Sequence, residues 1–487
     1  MGRQALHQPL KPLCEKINSL TDSGNDISII TRLDTDGIAS GSILLMALSR
    51  LGCRCCLRTI STLTPDIAQE LKSEAHDFCI FLGLGSVDFE ALQRYLNENW
   101  YIIDHIELEK KFGERNYNNQ IINSWEYGLN GAQEICTGSM SYILATMLDK
   151  RNTDLSAIAV IAALGDRQDV GEKKTLTGVN SEILKTAQSL NMINAELDLL
   201  LYNSETIPVH ESIARTSFPY IHGLTWNVKN AFSLIKNTGL KLTENGKWRV
   251  LPDFSAEEKN LIRDAIAKFI ITSSSSSSIE VADHLLGFSY RLTREENFGH
   301  LRDARDFANL LDACGRTGKA GLGVALCAGD RSMTLTEAEQ IAENYFASLS
   351  KSIFTVFSEK WRFYDDGVSA VFVNGEGLIT EGLLGSVSSL LASSPSLYGK
   401  LLFVRALNQE SGGDSYNFSA RKCVGSKSQL NMGILVKECS KSVGGSGGGI
   451  DGRAGCTIPA SKLETFLSNV RGEISNSKDS KLTPGSA

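Results

Sequence analysis

Asp34 and Asp36, in Ile30-Thr31-Arg32-Leu33-Asp34-Thr35-Asp36-Gly37, stand two residues apart where an apolar strand stops and a helix begins. Two carboxylates so placed can project toward one point above a sheet edge. That is the chemistry of a divalent-metal site, because hard cations prefer oxygen ligands. Asp before Gly at a strand end is also ordinary turn chemistry, so the pair needs company. Asp104-His105 follows the apolar run Trp100-Tyr101-Ile102-Ile103, and Asp166 follows an apolar helix-like stretch ending at Leu164-Gly165. Each has a plainer reading: a strand-end histidine is often a satisfied structural group, and Asp166 suits a helix cap or a surface pair with Arg167.

The elements that must position these side chains alternate. Residues 26–31, 53–60, 78–82 and 100–103 read as strands; 38–51, 65–73, 88–97, 137–148 and 155–164 read as helices. This alternation predicts an α/β fold with a parallel sheet and helices on both faces. Ligands of such sheets sit at the carboxyl ends of the strands, where Asp34, Gly83 and Asp104 all fall. The expected organisation is a first domain over 1–204, an inserted or connecting region over 205–285, a second α/β domain over 286–471 and a disordered tail over 472–487. The second domain is expected to carry strands near 322–327, 369–374, 401–406 and 432–436 and a long helix over 334–350. The serine run 273–278 reads as a solvated linker.

Composition narrows the class. A chain of 487 residues, 42% hydrophobic and 22% charged, fits two or three soluble domains. Its net charge of −7 argues against a nonspecific nucleic-acid coat, so any such contact must come from a local groove. Cys53, Cys55 and Cys56 cluster without a second Cys/His pair at zinc spacing, and eleven cysteines with no secretory pattern fit reduced thiols in a cytoplasmic protein. No apolar run approaches the ~20 residues of a membrane span.

Taken together, the DxDG segment, the strand ending at Gly83, Asp104-His105 and Gly165-Asp166 resemble, in order, the motifs of the DHH phosphoesterase superfamily. Leu310-Leu311-Asp312-Ala313-Cys314-Gly315-Arg316 resembles a signature of its archaeal RecJ-like branch. Gly447-Gly448-Gly449-Ile450-Asp451-Gly452-Arg453-Ala454-Gly455 and Phe418-Ser419-Ala420-Arg421 resemble the glycine-rich loop and phosphate-contacting segment of the DHH-associated domain. The resemblance implies hydrolysis of phosphodiesters by two Mn2+ or Mg2+ ions. It assigns metal ligation to Asp34, Asp36, Asp104, His105 and Asp166. It assigns nucleic-acid contact to Arg421, Gly447, Gly448, Gly449 and Arg453, the glycine run serving as a backbone anion nest.

This sequence departs from that pattern at four positions. Arg32 stands where the family usually has His, Gly83 where it has the metal-bridging carboxylate, Ile106 for the third letter of Asp-His-His, and Ile450 for the histidine of the glycine-rich loop. Without the bridging charge two dications repel uncompensated, and Arg32 adds a cation that cannot be titrated away. The expectation is a degenerate RecJ-like protein that has lost two-metal hydrolysis and needs no cofactor, with at most one Mn2+ or Mg2+ on Asp34, Asp36, His105 and Asp166. By resemblance to the RecJ-descended subunit of the CMG replicative helicase, its expected partners are the GINS complex and the MCM ring. Single-stranded DNA would lie on the second domain, and a nucleoid-associated cytoplasmic location would follow. The alternatives are an active metal-dependent 5′ exonuclease on single strands, or a small phosphoesterase for short oligonucleotides or a cyclic dinucleotide.

Overall fold

The computed structural model describes residues 2–74, 76–86, 89–107, 120–273, 285–296, 299–408 and 412–479. The chain divides into two compact units. The first comprises Met1–Thr206 and Leu286–Glu343, the second Ile207–Leu285 and Asn344–Ala487.

The first unit is built on five parallel strands: β1 (Ile27–Arg32), β2 (Cys55–Ile60), β3 (Phe78–Leu82), β4 (Trp100–Asp104) and β5 (Ile121–Asn123), in the order β2-β1-β3-β4-β5. Every residue of β3 is buried, as an apolar run covered on both faces requires. The helices Pro65–Ser73 and Phe89–Leu96 cover one face through Ala68, Leu71, Phe89 and Leu92, which pack on Ile30, Phe81 and Ile102. Helices α1 (Thr35–Arg50), α2 (Thr137–Leu148) and α3 (Ser156–Gly165) pack against one another, α1 also resting on β1. Asp34 caps α1: its backbone is extended (φ −86°, ψ 175°) and its side chain accepts from the Gly37 N–H. Gly37 must be glycine, because a Cβ there would lie 2.3 Å from the Arg32 carbonyl oxygen.

Residues 286–343, expected to open the second domain, pack with the first unit instead. Their helix α4 (Ala304–Arg316) rests on α3 and α1. Gly315 makes that possible, since a Cβ at this position would come within 1.5 Å of the Leu33 carbonyl oxygen. Thr35 Oγ1 donates to the Ala308 carbonyl at 2.7 Å, tying the same two segments together.

The second unit carries a six-stranded sheet: β6 (Phe363–Asp365), β7 (Ala370–Asn374), β8 (Leu401–Leu407), β9 (Ser415–Lys422), β10 (Ser446–Ile450) and β11 (Arg453–Pro459), in the order β6-β7-β8-β9-β11-β10. Only β7 and β8 are parallel, as a crossover through a helix allows. The long helix α5 (Met333–Ser358) leads into this unit, and α6 (Glu381–Ala392) joins β7 to β8. Helices α7 (Met432–Ser442) and α8 (Leu463–Asp479), the latter through Phe466, close one face over Phe372, Phe403 and Phe418. Residues 207–285 contribute helices Val209–Arg215, Val228–Lys236 and Ala256–Ser273 and a small hairpin at Thr243–Trp248.

Several expectations are corrected here. Residues 322–327 lie in a helix, Ala320–Cys327, and 432–436 begin α7. Both are short apolar runs, in which periodicity does not separate strand from helix. The expected tail is helical through Asp479, and its Ile474 is buried in the core. Residues 480–487 and 274–278 lie outside the described residues.

Candidate functional site

The carboxyl ends of β1, β3 and β4, the first turn of α2 and the end of α3 bring three of the expected side chains, Asp36, His105 and Asp166, into contact. Asp36 is buried; its Oδ1 accepts from the Gly138 N–H at 2.8 Å and its Oδ2 from the Thr137 N–H at 3.2 Å. It thus caps α2 from another helix, a place where the helix dipole favours negative charge. The cap residue of α2, Cys136, makes no side-chain cap of its own. His105 Nδ1 lies 3.7 Å from Asp36 Oδ2 and 2.8 Å from Thr137 Oγ1, and its Nε2 lies 2.9 Å from Asp166 Oδ2. Gln168 Nε2 donates to the same Asp166 oxygen at 3.1 Å and to the Gly131 carbonyl at 2.9 Å, while Asn180 Nδ2 donates to Gln168 Oε1 and Ser139 Oγ to Asn180 Oδ1. This chain of buried amides fixes the orientation of Asp166.

Asp104 is buried but turned to its own backbone: Oδ1 accepts from the N–H groups of His105 (2.8 Å) and Ile106 (3.1 Å). Asp34 Oδ2 lies 3.0 Å from Arg32 Nε, at a half-exposed mouth. Asp34 raises the Arg32 pKa most, against burial, with Asp166 and Asp104 adding to it, so this guanidinium is permanently charged among three carboxylates. Gly83, at φ +68°, sits beside both Thr137 and Arg32: a Cβ there would lie 3.0 Å from Thr137 Oγ1 and 3.7 Å from Arg32 Cδ. The position that would supply a bridging carboxylate therefore faces the site and offers none.

Electrostatics follow from this packing. Burial pushes the Asp34 carboxyl up, but Arg32 and Arg316 overcome it and hold the group below the usual carboxylate range. Burial pushes Asp36 up to about 6, against the pull of His105. Burial opposes charge on His105, yet Asp166 and then Asp36 outweigh it and raise its pKa to about 9. The two carboxylates thus favour the cationic imidazolium.

In this arrangement His105 and the carboxylates are engaged with protein groups rather than turned toward a common ion. Both nitrogens of His105 are engaged, a state in which an imidazolium has no lone pair to give. Asp36 is bonded through both oxygens, and Asp34 is bonded to Arg32 and Gly37. Among the described residues no three His, Cys, Asp or Glu side chains are arranged to hold one ion.

Sequence reasoning missed Arg316, Thr137 and Gly138. Arg316 acts on Asp34 and Arg32 because Gly315 lets the end of α4 touch Leu33. Thr137 and Gly138 were legible only as the start of an apolar helix, since their role depends on Asp36, about a hundred residues earlier.

The expected nucleic-acid residues of the second unit lie together on a sheet, though not as an anion nest. Residues 446–450 form the edge strand β10, hydrogen-bonded to β11, so the turn geometry a nest needs is absent there. Gly447 and Gly449 are required by packing, since Cβ atoms would meet Cys456 Cβ and the Arg453 carbonyl, each at 2.3 Å. A Cβ on Gly448 would meet nothing within 4 Å. Gly448 pairs with Gly455, and Arg421 pairs with Arg453. All four share the sheet face opposite Phe418 and Ala454.

Comparison with known proteins places this arrangement. Residues 201–283 match the model of the DHH-CID domain and residues 385–476 that of the DHHA1 domain. An uncharacterized protein of Methanocaldococcus jannaschii is 26% identical over 452 residues, which is 91% of this chain and 92% of that one. CDC45 from Entamoeba histolytica shares the fold with a TM-score of 0.62 at 13% identity, over 95% of this chain and 98% of that one. RecJ from Thermus thermophilus, in complex with Mn2+, gives 0.59 at 14% identity over 96% of this chain, which spans 55% of that RecJ. The chain thus carries two domains of the DHH superfamily, DHH-CID and DHHA1. Its fold is the one common to RecJ and CDC45.

Proposed function

We propose that this chain is a catalytically silent RecJ-like protein that serves as a scaffold in DNA replication, holding GINS- and MCM-type partners, with a single-strand contact on its DHHA1 sheet. The observation that carries the reading is the Arg32–Asp34 pair at 3.0 Å, facing a glycine at position 83. A fixed cation is bonded where the family's carboxylates would receive a metal ion, and the group that would bridge two ions is missing. The fold is shared with CDC45 and RecJ alike and suits either a scaffold or a nuclease, so the choice rests on that Arg32–Asp34 pair. For the strand contact, the support is the Arg421–Arg453 cross-strand pair beside the bare surface of Gly448 and Gly455.

The test is incubation of the purified chain with 5′-labelled single strands and Mn2+, with Asp34→Ala as the control for contaminants, alongside co-purification with GINS. No turnover together with GINS retention is the expected result. Degradation that Asp34→Ala abolishes overturns the reading in favour of an active exonuclease.

A further inference from the structure

The second unit presents an unbalanced aromatic and basic surface at the β6 end of its sheet, far along the strand order from β10. Phe354 is 73% exposed on α5, Trp361 65% exposed in the short 3-10 turn Lys360–Arg362, and Tyr364 53% exposed on β6. Exposed tryptophan and tyrosine beside arginine is the composition of binding hot spots. Here Arg362 lies 4.2 Å from the Trp361 ring centroid and Arg471 5.1 Å from that of Tyr364.

The strand beneath them is a sheet edge. Asp366 N–H donates to the Ala370 carbonyl at 3.1 Å, in register with the pairs Asp365–Val371 and Tyr364–Phe372. Inward bonding alternates along an antiparallel pair. Tyr364 and Asp366 therefore bond toward β7, while the Asp365 N–H and C=O and the Phe363 C=O point away from the sheet. The Phe363 N–H is used locally, by the Lys360 carbonyl. Unpaired edge groups are a template for another strand, and natural edges are usually blunted by proline or lysine. Neither occurs in Phe363-Tyr364-Asp365.

The charge at this edge has one sign left over. Asp365 pairs with Lys400, Glu359 with Arg362, and Asp366 is taken up by the N–H groups of Val368, Ser369 and Ala370. Lys351, Lys360 and Arg471 form no ion pair among the described residues, although the whole chain is at −7.

We propose that the β6 edge docks an extended acidic segment of a partner protein by strand addition. Its backbone would bond to Asp365 and Phe363, its apolar side chains would lie on Trp361 and Tyr364, and its carboxylates would meet Lys351, Lys360 and Arg471. Main-chain bonds supply affinity in this mode and side-chain pockets supply selectivity. The proposal does not rest on the state of the carboxylate cluster.

The experiment titrates the full chain into a fluorescein-labelled decapeptide of alternating isoleucine and glutamate and reads fluorescence polarisation. Saturable, salt-weakened binding is expected, reduced about tenfold by Trp361→Ala with Tyr364→Ala. Asp365→Pro removes an outward donor without touching the inward ladder, so it should abolish binding, while Asp365→Ala should retain it. If Asp365→Pro fails to fold, the same peptide N-methylated at alternate amides makes the same test on the unaltered chain, and it should not bind. Equal binding of the methylated and plain peptides, or no binding of either, overturns the proposal. So does oligo-dT that displaces the peptide and is itself lost on Trp361→Ala, which would mark a nucleic-acid platform. A dimer in sedimentation velocity that Trp361→Ala disperses overturns it as well, in favour of self-pairing.

Discussion

The charged state of His105 has a consequence for stability that can be worked out and measured. Its folded pKa is raised from 6.5 to about 9, so the native first unit binds a proton more tightly than the unfolded chain. The stabilisation is complete below the unfolded value and is lost as pH rises through the folded one. Between pH 6.5 and 9 the loss amounts to about 3 kcal/mol at 1.36 kcal/mol per unit. Asp36, raised from 3.8 to about 6, acts in the same direction at lower pH, because a carboxyl held protonated in the fold also loses stability as it ionises. The first unit should therefore weaken steadily from mildly acid to alkaline pH. The assay is urea unfolding at pH 6.5 and 9.5 in a chain carrying Trp226→Phe, Trp248→Phe and Trp361→Phe. Emission then comes from Trp100 and Trp125, and the Trp125 indole donates to the His105 carbonyl at 2.9 Å. The His105→Gln variant should be less stable at pH 6.5 and should show almost no change between the two pH values. An unaltered chain equally stable at both values, or a variant that falls in parallel with it, refutes the argument that His105 is held as a cation by Asp166 and Asp36.

Other predictions rest on close approaches. Gly315→Ala drives a Cβ into the Leu33 carbonyl oxygen, and should cost the first unit about 3 kcal/mol or more in urea unfolding. Gly448→Val meets open space, so it should leave melting unchanged while weakening oligo-dT binding in a filter assay; Gly447→Val, aimed at Cys456 Cβ 2.3 Å away, should lower the melting temperature as well. Arg421→Ala should weaken oligo-dT binding for all sequences alike and lower the salt slope by about one. Arg32→His combined with Gly83→Asp should give calorimetric Mn2+ binding that Gly83→Asp alone does not, because in the single variant Arg32 pairs with the new carboxylate. That gain comes despite a strain of about 1 kcal/mol for Asp at a left-handed position.

Much of the first unit was legible because its signals are local. The helices 65–73 and 137–148 begin and end where the sequence reading put them, and Asp34-Thr35-Asp36-Gly37 carries its own cap. The parallel sheet followed from alternation alone. The rest of the chain was less legible for two physical reasons. Uniformly apolar runs such as 322–327 carry no period, and a glycine run such as 447–449 has the composition of a turn even when neighbours force it into a strand. The site divides in the same way. His105 and Asp166 were visible as residues following apolar elements, but that they touch each other is a tertiary fact. Arg316 was visible only as the end of a familiar segment. Its role depends on one glycine contact to Leu33, about 280 residues away in the chain.

That contact also bears on how so many carboxylates are accommodated in one cluster. Asp34, Asp36, Asp104 and Asp166 face Arg32, His105 and Arg316, and the first turn of α2 supplies partial positive charge to Asp36. Protein cations thus stand where dications would otherwise neutralise the acids. Removing one partner of the buried His105–Asp166 pair should cost about 3–5 kcal/mol, because the remaining charge has little water to turn to; the more exposed Arg32–Asp34 pair is worth less. Each remaining member is then held in place by its partners, and the Ala-Cys-Gly-Arg segment is held by the need to bring Arg316 to them. On this argument, acidic motif residues that survive in a chain of this family are uninformative about hydrolysis. The informative positions are the ones that a structural role leaves free to change, Arg32 and Gly83.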